Sequence, residues 1–178
     1  MKKYHVKIRG LRPLLHHRYP EPEEKTAKGR RSTVFNPEQE AKKCLYISAN
    51  NGKIYQPAEH IEGAMIKGAT QIQFKGKKTF KDIVAQNLIV QPREIPLPQK
   101  YRIDITTGVI PATRGRVPIA RPAWDEWELE FDVIDTSAYE DINTEILRNI
   151  MEESGKVGIG TFRLKYGKFE VISVEEIK

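Results

Sequence analysis

The chain has 178 residues and a formal net charge of +6, from 30 Lys and Arg against 24 Asp and Glu. This length suits a single domain, 1–178, and no stretch approaches the roughly 20 apolar residues of a transmembrane helix. The one cysteine, Cys44, excludes an internal disulfide and a cysteine-based zinc cluster. We therefore expect a cytoplasmic protein with no membrane partner, no cofactor and no metal.

The positive charge is unevenly distributed along the chain. Residues 124–154 contain eleven acids and one base, Arg148, for a net charge of −10, so the remaining residues carry +16 (+6 minus −10). Such segregation indicates one surface that repels polyanions and another that attracts them. A nucleic acid is the polyanion that this pattern predicts, although a basic protein with no nucleic-acid role can have the same composition.

Apolar periodicity predicts four main strands and two main helices. Alternation indicates the strands, as in Trp127, Leu129 and Phe131, and an apolar stripe indicates the helices, as in Ile61 and Met65. A short helix at 79–86 and an apolar run at 88–90 follow the first main helix. In chain order the main elements are a strand at 4–8, a helix at 57–72, a strand at 101–110, a strand at 127–133, a helix at 139–154 closed by Gly155, and a strand at 168–174.

This order of elements predicts an α+β, ferredoxin-like (RRM-like) βαββαβ fold. We expect an antiparallel sheet in the order 4-1-3-2, with both helices on one face. The other face is left open, and RNA-recognition domains bind bases there. Two insertions interrupt the fold. The first, residues 10–57, contains a basic arm at 10–35, a short helix and a hairpin turn at Asn51-Gly52, and the second is the basic segment 111–123 between strands 2 and 3.

Residues 155–171, GKVGIGTFRLKYGKFEV, join the second helix to the last strand and combine glycines, cations and aromatic residues. Glycines let backbone N–H groups approach phosphate oxygens, cations neutralise those oxygens, and aromatic rings stack on unpaired bases. A structural turn with its aromatic residues in the core is the alternative interpretation. The candidate nucleic-acid-binding residues of this loop are Gly158, Gly160, Arg163, Lys165, Gly167 and Lys168.

Two segments resemble the RAMP superfamily, the ferredoxin-like proteins of CRISPR systems that bind guide RNA or process its precursor. Members carry a glycine-rich loop before the final strand, where this chain has GIGTFRLKYGKFEV, residues 158–171. They also open the first helix with a segment of the type IPGSSLKGA, to which YQPAEHIEGAMIKGA, residues 55–69, is similar. The resemblance implies a single-stranded RNA-binding protein, such as a backbone subunit of a CRISPR-like antiviral ribonucleoprotein. A RAMP-like protein of a phage or mobile element fits the same motifs.

The resemblance also implies further contacts with RNA. In the family, the insertion between the middle strands often forms a thumb that presses on RNA, and residues 111–123 lie in the matching place. Lys67 belongs to the Lys-Gly-Ala element of the first helix. The residues carried over in this way are Lys67, Arg114, Arg116 and Arg121.

The basic arm adds its own cations. Each contact between a cation and a phosphate adds salt-dependent affinity without sequence preference. The arm and residues 112–123 have few apolar anchors, so we expect them to be less ordered than the rest of the chain without a ligand. We also expect Lys42 and Lys43 of the short helix to contribute less to binding than the glycine-rich loop. The arm candidates are Arg12, Arg18, Arg30 and Arg31.

Two other functions are open at this point. His16 and His17, beside Tyr19 in the arm, could serve as general acid and base of a metal-independent endoribonuclease. The acidic residues 124–154 could instead dock on a basic neighbour, as in an assembly protein without nucleic acid. The sequence favours binding over catalysis, and it does not choose between RNA and DNA, name a sequence preference or decide on self-association.

Overall fold

The computed structural model describes residues 1–19, 35–109, 114–137, 142–161 and 165–177. Within these residues the chain forms nine strands and four α-helices. In chain order they are β1 (Lys2–Gly10), β2 (Leu14–Leu15), α1 (Pro37–Lys43), β3 (Tyr55–Pro57), α2 (Ala58–Gly68), α3 (Lys81–Asn87), β4 (Leu88–Gln91), β5 (Glu94–Pro96), β6 (Arg102–Val109), β7 (Arg116–Trp124), β8 (Glu128–Asp135), α4 (Thr144–Val157) and β9 (Phe169–Ile177).

Strands β1 and β8 are the centre of a four-stranded antiparallel sheet in the order β4-β8-β1-β9. Tyr4, Val6 and Ile8 alternate along β1 and are fully buried on one face, as the periodicity predicts. The core on this face includes apolar side chains of both α2 and α4, so the two helices pack on the same side of the sheet. The architecture is α+β with antiparallel sheets, and it is compatible with the predicted ferredoxin-like arrangement.

The segment predicted as the second strand, 101–110, does not join this sheet. The strand that pairs with β8 at the edge of the sheet is β4, a segment that was predicted from sequence only as an apolar run. Strand β6 pairs instead with β7 in a second sheet of order β2-β7-β6. The expectation that residues 111–123 form a basic insertion between two strands of the main sheet is therefore wrong as well, because from residue 116 onward they belong to strand β7. Residues 110–113 lie outside the described residues. Alternation predicts that a segment is a strand, but long-range contacts decide which sheet the strand joins.

Glycines allow the helices to pack closely at two places. A Cβ on Gly68, at the end of α2, would lie 2.6 Å from the amide nitrogen of Ser154 in α4. Gly155 is inside α4, where a Cβ would collide with the carbonyl oxygen of Phe169. The prediction that Gly155 closes the helix is therefore wrong: α4 ends at Val157, and Gly158 follows it with a φ of +82°.

The opposite face of the four-stranded sheet carries charged pairs rather than aromatic rings along β1 and β8. Hydrogen bonds to Glu130 and Glu128 raise the pKa of Lys7. The acidic strand β8 is thus neutralised by the basic strand β1, which corrects the expectation of separate repelling and attracting surfaces. The ion pairs include Lys3–Asp132 at 2.9 Å, Lys7–Glu130 at 2.9 Å, Lys7–Glu128 at 3.3 Å, Arg9–Glu128 at 2.7 Å and Arg9–Glu170 at 3.9 Å.

The contact between α2 and α4 can be tested with two glycines of one helix. Gly68→Ala should lower the free energy of unfolding by about 1–3 kcal/mol, because the new methyl group overlaps Ser154. Gly63→Ala is the matched control: a Cβ there has no atom within 4 Å, and alanine favours a helix by about 0.8–1 kcal/mol over glycine. Urea denaturation of both variants measures the difference. Equal effects of the two changes would contradict the packing described.

Candidate nucleic-acid interface

The connector from β1 to β2, residues 11–15, runs alongside the glycine-rich loop. Leu14 and Leu15 are fully buried, and β2 pairs with β7. This part of the predicted arm is therefore a fixed element, because two leucines anchor it in the core. The hydrogen bonds that hold it include Leu11 N to Lys168 O at 2.8 Å, Arg12 N to Lys168 O at 3.3 Å, Gly167 N to Pro13 O at 2.8 Å, Thr161 N to Leu15 O at 3.0 Å, and Trp127 Nε1 to Arg12 O at 2.9 Å.

The glycines of the loop shape the loop itself. Gly158, Gly160 and Gly167 have φ values of +82°, +75° and +68°, which other residues rarely adopt. A Cβ on Gly160 would lie 2.6 Å from the carbonyl oxygen of Leu15. The N–H of Gly158 donates to a carbonyl in the last turn of α4, and the N–H of Gly167 donates to Pro13. These two N–H groups are already used, which corrects the expectation that they approach phosphate.

Cations of the loop and of the connector meet across a groove of about 650 Å³. Its lining residues are Arg12, Pro13, Lys165, Tyr166 and Lys168. Arg12 and Lys165 are exposed, and Tyr166 is half-buried. Hydrogen bonds fix the backbone on both sides, so the two walls of the groove are in place before a ligand binds and less ordering is needed on binding. The groove offers positive charge for phosphate and an aromatic ring for a base.

Lys168 is also part of the end of α4. Its Nζ donates to the carbonyl oxygen of Val157 at 3.3 Å and to that of Lys156. A cation at this position complements the partial negative charge of the helix C-terminus. Lys168 therefore contributes charge to the groove from a fixed position, and its replacement would disturb the helix end as well.

Several other predicted binding residues lie away from this groove. Lys67 is exposed in the last turn of α2. Arg114 and Arg116 are exposed where the chain enters β7. Arg18 lines a different groove. The remaining candidates, Arg30, Arg31 and Arg163, lie outside the described residues.

Arg121, expected to contact RNA from a thumb, is buried, with 5% of its surface exposed. Its Nε donates to His17 Nδ1 at 3.2 Å, and its Nη1 donates to Thr106 Oγ1 at 3.1 Å. Burial lowers the pKa of Arg121. The guanidinium therefore ties the arm to the β6–β7 hairpin, and it is not presented to a ligand.

His16 is fully buried, which corrects the expectation of an exposed histidine pair. Its Nε2 lies 2.9 Å from Gln56 Oε1, and Gln56 Nε2 lies 2.8 Å from His60 Nδ1. An amide oxygen only accepts and an amide nitrogen only donates, so His16 carries its proton on Nε2. Burial lowers the pKa of His16 to about 4. A histidine that is buried and neutral near pH 7 does not suit acid–base catalysis on a bound strand.

The burial of His16 should make stability depend on pH. Histidine titrates near pH 6.5 when unfolded, but His16 titrates at about 4 in the folded state. Between these pH values the unfolded state binds a proton that the folded state does not. The free energy of unfolding is therefore undiminished above pH 6.5 and decreases as the pH falls toward 4. For the unchanged protein we expect His16 to lower the free energy of unfolding by an amount of the order of 3 kcal/mol over this range, and His16→Gln should abolish that decrease. Denaturant unfolding across the range measures both proteins, and parallel curves would contradict the burial.

The part of the chain that the structure describes contains neither a membrane span nor a metal cluster. No helix there is long and apolar enough to cross a membrane. No group of three or more His, Cys, Asp or Glu is placed there to hold a metal ion.

Comparison with known proteins gives a likeness in structure and no match in sequence. No protein-family model matches the chain, and no curated protein matches it. Among solved structures, the chain is similar to a chain in the cryo-EM structure of the Type III-B Cmr-beta bound to cognate target RNA, with a TM-score of 0.63 and 15% sequence identity. The match covers 99% of this chain and 61% of that chain. At this identity the likeness shows the fold alone.

Proposed function

We propose that this protein binds single-stranded RNA in the groove between Arg12 and Lys165, as a ferredoxin-like, RAMP-like protein of a ribonucleoprotein. The observation that carries the proposal is the groove itself. Two exposed cations come from separate segments of the chain, and backbone hydrogen bonds hold those segments together. The half-buried ring of Tyr166 lies in the same groove.

The chemistry of the groove favours a single strand over a duplex. A ring such as Tyr166 stacks on a base only when that base is unpaired. Arginine and lysine side chains neutralise phosphates without reading the sequence. We therefore expect binding that tolerates many sequences and weakens with salt.

The two likenesses of the chain support the choice of RNA. Lys165, Tyr166 and Lys168 belong to residues 158–171, the segment that resembles the RAMP glycine-rich loop. The similar solved structure is described as bound to cognate target RNA. This chain spans 61% of the length of the matched chain, so membership of a comparable assembly is part of the proposal.

Replacement of both exposed cations tests the proposal. Arg12→Ala combined with Lys165→Ala should weaken binding to single-stranded RNA of about 16 nucleotides. The slope of log affinity against log salt should become shallower by about 1.4, or about 0.7 for each lost phosphate contact. Fluorescence anisotropy at several salt concentrations measures both quantities.

The matched control removes the same charge elsewhere. Lys53→Ala combined with Lys81→Ala changes two exposed lysines outside the groove. If this control changes the slope as much as the groove variant does, the attraction is diffuse and the groove is not the site. Single-stranded DNA and duplex RNA of matched length complete the comparison. Equal affinity for the duplex would contradict a single-strand site.

A further inference from the structure

A second basic groove, of about 630 Å³, lies where the arm meets α1 and β3. One side is the C-terminal turn of α1, which supplies two lysines. The arm supplies an arginine, and the chain from α1 to β3 supplies an apolar floor. The lining residues are Arg18, Gln39, Lys42, Lys43, Leu45, Ile47 and Tyr55.

The backbone of this groove is fixed, like that of the first. The amide N of Arg18 donates to Cys44 O at 3.0 Å, and that of Tyr55 donates to Tyr46 O at 3.1 Å. These bonds hold the arm against the end of α1 and hold β3 against the segment that follows α1. The groove is therefore a preformed concavity and does not depend on a loose arm closing over it.

The floor of the groove is apolar and aromatic, and it is open to solvent. Ile47 keeps 45% of its surface exposed, so an apolar surface is open to a ligand in this groove. Burial raises the pKa of Tyr55, and Glu94 and Glu59 act in the same direction, whereas Arg18 opposes them.

The rim of the groove is cationic. Lys42 and Lys43 stand in the last turn of α1, and Lys43 also bonds Glu40 at 3.1 Å. The lining contains three cations and no carboxylate. An apolar, aromatic floor beneath a cationic rim matches one chemical unit, a planar base that carries a phosphate.

The two grooves are joined by a short piece of chain. Arg12 lines the first and Arg18 lines the second, so their backbones are at most about 20 Å apart. Between them run the rest of the connector, which includes β2, and the buried His16. The second groove is therefore within about 20 Å of chain of the first, a span that a single strand of several nucleotides can cover.

We propose that the second groove binds one or two unpaired nucleotides of the same strand that occupies the first groove. Lys42 and Lys43 hold phosphate, and the ring of Tyr55 stacks on a base. This proposal rests on the proposed function, since it assumes that the strand is RNA bound at Arg12 and Lys165. The expectation from sequence gave the two lysines a smaller contribution than the glycine-rich loop, and this proposal gives them a site of their own.

Three variants separate charge from stacking. Lys42→Ala combined with Lys43→Ala should make the salt slope shallower by about 1.4 on a strand of about 16 nucleotides. Tyr55→Leu should weaken binding by about 5-fold to 100-fold, with the slope unchanged, because stacking is lost and charge is kept. Tyr55→Phe keeps the ring and should bind like the unchanged protein, and thermal unfolding of all three variants confirms that they are folded.

Strand length gives an independent readout. A strand of about 4 nucleotides fills one groove, whereas one of about 16 nucleotides reaches both. The gain in affinity from the short to the long strand should therefore shrink in the Lys42/Lys43 variant and in Tyr55→Leu. If folded variants leave the affinity, the slope and this gain unchanged while the Arg12/Lys165 variant weakens binding, the second groove is not an RNA site and the proposed function survives.

A free nucleotide is the other source of the same chemistry. Titration with uridine monophosphate and adenosine monophosphate tests it, with Tyr55→Leu as the reference. We expect both to bind much more weakly than the strand. Saturation at a concentration similar to that of the long strand, lost in Tyr55→Leu, would make this a mononucleotide site and overturn the proposal. If the unchanged protein binds no RNA at all, the proposed function and this inference fall together.

Discussion

The pairing of residues 11–15 with the glycine-rich loop is the contact on which the rest of the site depends. It joins the chain just after β1 to the chain just before β9, so two segments more than a hundred residues apart share one set of backbone hydrogen bonds. Arg12 and Lys165 line the same groove because of this pairing. Leu14 and Leu15 then anchor the arm in the core, the buried His16 follows, and Arg18 lies further on at a partly exposed position. Gly160 permits the close approach, since a Cβ there would lie 2.6 Å from the carbonyl oxygen of Leu15.

The charges of β8 and β1 pair in the fold, although they are far apart in the sequence. The acids of residues 128–132 look like a separate negative surface when the chain is read in order. In space they lie beside the cations of β1 and pair with them. Exposed ion pairs of this kind add little stability, but they remove β1 from the cations available to a ligand. The linings of the two grooves contain cations and no carboxylate, and of these cations Lys43 pairs with Glu40 beside the groove.

Local pattern predicted much of the fold and less of the site. Alternation located β1, β8 and β9, and apolar stripes located α2 and α4, because these features follow from short-range periodicity. Long-range pairing decides which sheet a strand joins, and here the sequence prediction was wrong. It placed β6 beside β8, whereas β4 occupies that edge and β6 pairs with β7. His16 looked like an exposed basic-loop residue because its neighbours are charged, but the two leucines before it were the signal of burial. The groove lined by Lys42 and Lys43 could not be predicted from sequence, because it forms only when Arg18 and Tyr55 come together in the fold.

The function proposed for this protein places a single strand of RNA in the groove between the connector and the glycine-rich loop. Photochemical cross-linking of the protein to single-stranded RNA, with the modified residues identified by mass spectrometry, tests it most directly. The account predicts cross-links at Tyr166 and in residues 11–13, with Tyr55 as a further position. Cross-links confined to the charged face of β1 and β8, with none at the groove, would contradict it.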